Sequence, residues 1–247
     1  MNSIVVTGCN RGLGLGLVRS LVGRQDPPRT LIATCRDPDK AQELREIAEK
    51  HRNVHILSLN VRNYDSFKDF ATQVSEIVKD DGLNVLFNNA GVSPKYTRIN
   101  YVKVDQLLET FQTNTVAPIM LTKALLPLIK KASEKNAGLK MSCKRAAIIN
   151  MSSILGSIES NKDGGLYPYK CSKAALNMAT ASLALDLKKD DVLVVSLHPG
   201  WVKTDMGGNN APLGVDTSTE SLVDLLHDMG PAHNGGFYQW DGKQLPW

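Results

Sequence analysis

Short runs of β-branched and aliphatic residues alternate along the chain with longer segments whose apolar residues recur every three or four positions. The short runs, at 3–8, 30–35, 54–59, 84–89, 145–153, 192–199 and 235–240, read as strands. Between them, 11–25, 38–51, 64–80, 103–133, 168–188 and 216–229 carry helical spacing. The strand runs are apolar at consecutive positions, as strands covered on both faces by helices should be. The alternation predicts an α/β fold, a doubly wound parallel sheet of about seven strands with helices on both faces. In "DPDK", Asp37 is placed to cap a helix whose first residue is Pro38. Polar connections at 92–102, 134–144, 156–166 and 205–215 read as surface or rim loops.

Composition narrows the class. The 247 residues are 42% hydrophobic, enough for one well-buried core, and no linker-like stretch marks a second domain. The 29 basic and 25 acidic residues give a net charge of +4 and are intermixed, as in "ALDLKKDD", which argues against nucleic acid as the main partner. Thr122 and Lys123 break the longest apolar stretch well short of a membrane span. "MNSIVVTG" has neither the basic nor the apolar region of a secretory signal. Cys9, Cys35, Cys143 and Cys171 are scattered without a C-x-x-C pair, which suits a reducing compartment. A soluble cytoplasmic protein is expected. His51, His55, His198, His227 and His233 lack metal-ligand spacing, so no metal is expected.

"TGCNRGLG" sets Gly8, Gly12 and Gly14 between the first strand and the first helix, with Asn10, Arg11 and Leu13 among them. Glycine there lets the backbone turn sharply and approach a pyrophosphate at the helix N-terminus. After the second strand, an acid would hold ribose hydroxyls and cations would hold a 2′-phosphate. Arg36 follows Cys35, and with Arg11 it offers two guanidiniums to one phosphate, so NADP(H) is expected. The competing reading has Asp37 on a ribose and Arg36 as a surface charge.

In "YPYKCSK", Tyr169 and Lys173 are four apart and share one helix face, whereas Lys170 points elsewhere and reads as solvated. Bringing a phenol from pKa ~10 towards neutrality takes roughly 4 kcal/mol, and an ammonium about 5 Å away supplies roughly 3 kcal/mol at an effective dielectric near ~20. Cys171 reads as a small buried helix residue and Tyr167 as packing or pocket wall.

Taken in order, Thr7-Gly8-x-x-x-Gly12-x-Gly14, "NNAG" at 88–91, Asn114 in "TNT", "NMSS" at 150–153, Tyr169-x-x-x-Lys173 and "PG" at 199–200 resemble the short-chain dehydrogenase/reductase family over essentially the whole chain. "SLHPGWVKTDMGG" is similar to carbonyl reductases within it. The resemblance implies one Rossmann domain over 1–247, strand order 3-2-1-4-5-6-7, and NADPH-dependent reduction of aldehydes, ketones or quinones. By the same resemblance, Tyr169 is the general acid, and Lys173 lowers its pKa and binds the nicotinamide ribose. Ser153, followed by x-x-Gly156, bonds the substrate carbonyl, and Asn114 holds a water linking Lys173 to solvent. Ser152 reads as a strand-end hydroxyl bonded to backbone.

Asn88, Ala90 and Gly91 would present backbone to the cofactor, Asn60 and Val61 would lie near the adenine, and Pro199, Gly200, Val202 and Thr204 near the nicotinamide. Trp201 reads as packing. Tyr169 follows Ser153 by 16 positions, longer than is usual in the family, so "ESNKDGG" reads as extra loop beside the substrate. Family members are homodimers through 103–133 and 168–188, or monomers. A different class, an NADP-binding redox sensor with little catalysis, does not need the Asn114, Ser153, Tyr169 and Lys173 set.

Overall fold

The computed structural model describes residues 1–94 and 98–247. Seven strands, β1 Ser3–Val6, β2 Thr30–Cys35, β3 Val54–Ser58, β4 Val85–Asn88, β5 Ala147–Met151, β6 Leu193–His198 and β7 Phe237–Gln239, form one sheet. Its order is β3-β2-β1-β4-β5-β6-β7, and every neighbouring pair is parallel. Seven α-helices accompany them: α1 Gly12–Val22, α2 Gln42–Lys50, α3 Phe67–Val78, α4 Val104–Phe111, α5 Ala117–Lys135, α6 Tyr167–Asp186 and α7 Val215–Asp228.

Period-two alternation sorts the strand residues between two cores. Ile4 and Val6 pack with Leu17 and Leu21 of α1 and Leu222 and Leu226 of α7. Val5, on the opposite face, packs with Phe70 of α3 and Leu121, Leu125 and Ile129 of α5. No helix among the described residues is long and apolar enough to cross a membrane.

Three local expectations are corrected. Asp37 makes no side-chain cap; it pairs with Lys40 at 2.8 Å, Pro38–Lys40 form a separate 3-10 turn, and α2 starts only at Gln42. Proline's fixed φ starts a turn here but does not carry it into the helix. The 103–133 run is two helices joined by a wide turn, Gln112–Val116, with bonds to the fifth residue. The 134–144 connection is a surface loop only in part: 137–140 are exposed, but Met141 and Cys143 are buried in the core, and Asn84 reaches over to the carbonyls of Lys144 and Arg145. Of the 92–102 connection, residues 95–97 lie outside the described residues.

Candidate active site

The carboxyl ends of β1, β4, β5 and β6 face one side, where an open α/β sheet has its crevice. The turn after β1 is shaped by glycine. Gly8 and Gly12 have φ of +74° and +55°, values that side chains resist. A Cβ on Gly14 would lie 2.1 Å from the Gly8 carbonyl oxygen, so α1 approaches the strand end as only glycine allows. A Cβ on Gly12 would meet only the Thr204 side chain, at 3.6 Å, which leaves that flank of the turn open. No acid occupies the first turn of α1, so its positive end is unopposed.

"NNAG" holds this turn from behind. Thr7 Oγ1 accepts from the N–H groups of Asn89 and Ala90, both at 3.0 Å, and Asn89 Nδ2 donates to the Thr7 and Gly8 carbonyls. Asn88 points elsewhere, donating to Asn150 Oδ1 at 2.9 Å. Thr7 and Asn89 stand inside two of the motifs quoted from the sequence, which gave neither of them a role of its own.

The two arginines expected on one phosphate have different surroundings. Arg11 Nη1 lies 2.5 Å from Asp205 Oδ2, across the turn from the segment after β6. Arg36 is exposed and makes no ion pair among the described residues. Asn10 and Asn60 are exposed; Asn60 Oδ1 accepts from the Arg62 N–H in its own turn, and Val61 is half-buried against the α3 side.

The segment after β6 is braced internally rather than loose. Pro199 O accepts from Ser218 Oγ, Gly200 has φ of +85°, and buried Val202 bridges to Leu213. Thr204 Oγ1 accepts from the Gly207 N–H at 3.1 Å. Trp201 is exposed, not packed; its indole N–H donates to Gly207 O. His198, at the end of β6, is neutral, since burial lowers it to about 4.

α6 carries the chemistry on one stripe. Pro168 sits in its first turn, and Tyr169, Lys173 and Asn177 follow at intervals of four. Lys173 Nζ donates to Met151 O at 2.7 Å, Asn177 Oδ1 accepts from Ser152 Oγ at 2.6 Å, and Thr180 Oγ1 accepts from Asn150 Nδ2 at 2.9 Å. The helix is thereby fastened to successive residues at the end of β5. That fixes Ser153, which directly follows, in hydrogen-bonding position to Tyr169. Ser152 is thus bonded to a side chain, not to backbone, because Asn177 reaches it before any main-chain partner. Asn177 was missed, although its i+8 spacing from Tyr169 was legible.

Asn114 lies in the wide turn and is fully buried. Its side chain exchanges bonds with Val92 N and O, at 2.9 and 2.8 Å, and donates to Ser172 Oγ. Wide turns of this kind cluster at functional sites. Gly91 lies close to this cluster: a Cβ there would lie 3.3 Å from Asn114 Oδ1 and 3.7 Å from Lys173 Nζ.

Electrostatics depart from the simple lysine–tyrosine estimate. Lys173 Nζ is 5.7 Å from the Tyr169 ring centroid, and burial lowers its pKa to about 8. Tyr169 is only partly covered as a residue, but its ionising oxygen is deep, and burial raises its pKa while the hydrogen bond with Ser153 opposes that. The pair alone therefore does not produce a phenolate, because desolvation disfavours the charged form of both partners. Two further expectations fail: Cys171 is exposed, and Lys170 is not free in solvent but bonds Asn161 and Asp163. Both lie on the side of α6 turned away from β5.

The family model for the short chain dehydrogenase matches residues 2–212. The chain is similar in structure to the carbonyl reductase Sniffer of D. melanogaster, with 55% identity, a TM-score of 0.99 and full coverage of both chains. It is similar also to an NADPH-bound carbonyl reductase from chicken fatty liver, at 41% identity and a TM-score of 0.94, covering 100% of this chain and 99% of that one. The C-signal of Myxococcus xanthus is 38% identical over 165 residues, which are 67% of this chain and 93% of that protein. A match that runs from the first strand through the glycine turn, the α6 stripe and the segment after β6 places the chain in the short-chain dehydrogenase/reductase family of oxidoreductases.

Proposed function

We propose that the protein is an NADPH-dependent reductase of aldehydes, ketones or quinones, with Tyr169 as the proton donor. The observation that carries the reading is buried Lys173, held by Met151 O with its Nζ 5.7 Å from the Tyr169 ring, beside Ser153 just past the end of β5, on the edge of the sheet where the glycine turn lies. NADPH fits the residues present. The open flank of Gly12 and the unopposed end of α1 suit a pyrophosphate. Among the described residues Arg36 has no competing acid partner, whereas Asp37, the acid that would favour NAD, is engaged by Lys40. The cofactor name in the chicken carbonyl reductase supports the same choice.

When bound, NADPH supplies a hydride. The chain's own residues handle the charge left on the substrate oxygen. Ser153 Oγ donates a hydrogen bond to that oxygen, and Tyr169 transfers its proton to it. The raised pKa of Tyr169 keeps the phenol protonated at neutral pH, the form that a reductase needs. Lys173, held by Met151 O, stabilises the phenolate left behind. Because the Asn114 side chain is spent on Val92 and Ser172, its main-chain carbonyl is the atom we assign to the relay water. Exposed Val104, Leu108, Ile119, Met178 and Leu185 on α4, α5 and α6 support a homodimer, which sedimentation would test.

The decisive experiment follows NADPH absorbance with a panel of quinones and aldehydes. Wild type should turn over at least one, and Tyr169→Phe should lose roughly 10²–10⁴-fold in kcat. Silence of the wild type across the panel would sink the reductase reading. Undiminished turnover by Tyr169→Phe would sink the residue assignment.

A further inference from the structure

The segment 157–166 joins Ser153 to Tyr169, the two residues assigned to the substrate oxygen, yet it has little apolar anchorage of its own. Residues 158, 159 and 161–164 are exposed, and Ile158 is 78% exposed. Hydrophobic burial therefore does not fix its path, and a segment held only by the chain would open readily. Its path is also demanding. Gly165 and Leu166 both adopt left-handed backbone, with φ of +82° and +52°, immediately before α6. A leucine there persists only when its surroundings enforce it.

Two sets of polar contacts among the described residues hold this path. On one side, the Trp247 carbonyl accepts from the Glu159 N–H at 2.9 Å and from Ser157 Oγ at 3.2 Å, while the Trp247 ring stacks on Phe237 of β7 at 5.5 Å. On the other, Lys170 Nζ donates to Asn161 Oδ1 at 2.8 Å and to the Asp163 carbonyl. The Lys170 N–H donates to the Leu166 carbonyl as well, so one residue holds both the left-handed turn and the middle of the segment.

We propose that Lys170 is a positioning residue for substrate, strapping 157–166 between α6 and the Trp247 anchor into a fixed wall beside Tyr169. It follows Tyr169 directly and so points away from the Lys173 stripe; it takes no part in proton transfer. The wall carries apolar surface. Within it Ile158 is bare, and Leu155 just before it, whose N–H donates to Ser153 Oγ, is 39% exposed. Carbonyl compounds with a bulky apolar body gain from a wall held in place, whereas small aldehydes do not reach it. This substrate preference rests on the reductase reading above; the strap does not.

The test compares wild type, Lys170→Met and Lys170→Arg. Amide hydrogen exchange over 157–166 should accelerate at least about 5-fold in Lys170→Met and return towards wild type in Lys170→Arg. In steady state, KM for a bulky apolar ketone or quinone should rise about 5- to 10-fold in Lys170→Met with kcat within about twofold. KM for a small aldehyde should stay within about twofold, and arginine should rescue the bulky substrate. Unchanged exchange in Lys170→Met would overturn the strap. Faster exchange with equal losses on small and bulky carbonyls, or losses carried by kcat, would overturn the substrate role. A wild type that reduces no carbonyl would overturn the reductase reading, with the exchange result still deciding the strap.

Discussion

Of the glycine-bearing connections that leave the carboxyl edge of the sheet, the one after β1 and the one after β5 are held by different forces. The first, residues 7–14, is fixed by close approach. Gly14 touches the Gly8 carbonyl, Gly8 lies against Ala90, and Asn89 and Thr7 close the buried hydrogen bonds behind them. The second, 157–166, is fixed by a half-buried lysine and by a carbonyl from Trp247. Under the proposed reading, the contrast separates a surface that matches the cofactor from one that meets varied substrates. Buried, tightly fitted backbone is costly to alter, while exposed polar tethers are each worth ~1 kcal/mol and can be adjusted singly.

Substitutions at the two connections should reproduce that contrast. Gly14→Ala should be the most damaging, destabilising by about 4 kcal/mol or more, since neither the Gly8 carbonyl nor Asn89 can withdraw; denaturant midpoints with and without NADPH would read it. Lys173→Met addresses the buried stripe between the connections. The folded-state pKa of about 8 lies below the ordinary lysine value of 10.5, so the unfolded chain binds the proton more tightly between those pH values. Stability should therefore rise from pH 8 to 10.5 in the wild type, with a penalty of roughly 3 kcal/mol present in full below pH 8. Lys173→Met should be inactive, show no such rise and melt higher than wild type at pH 7, in thermal scans across that range.

Next comes Asn177→Ala, which leaves the buried Ser152 hydroxyl without its acceptor and should cost about 1–3 kcal/mol together with a lowered kcat as Ser153 loses its support. Asp205→Asn should have the smallest effect on stability, at most about 1 kcal/mol, because the Arg11–Asp205 pair is exposed. Freed from Asp205, Arg11 should nevertheless tighten NADPH binding a few-fold relative to NADH, measured by fluorescence titration. No change in that ratio would show that Arg11 is a clasp on the segment after β6 and not a phosphate ligand.

Features set by local period or local backbone were legible in the chain. Seven apolar runs gave the seven strands, glycines at 8, 12 and 14 gave the turn, and the i, i+4 spacing of Tyr169 and Lys173 put both on one face of α6. Such features depend on residues a few positions apart, whose geometry the backbone itself dictates. What the sequence left open were pairings across long stretches of chain. Arg11 meets Asp205, 194 positions away, and Ser157 meets Trp247, 90 positions away; neither spacing carries a signal. Lys170 departs from its expected surroundings for the same reason: its partners Asn161 and Asp163 reach it only through the path that 157–166 takes. Burial, too, belongs to the tertiary structure. The sequence supplied a lysine within reach of a tyrosine, but only the packed site decided that desolvation opposes charge on both, leaving a protonated phenol beside Ser153.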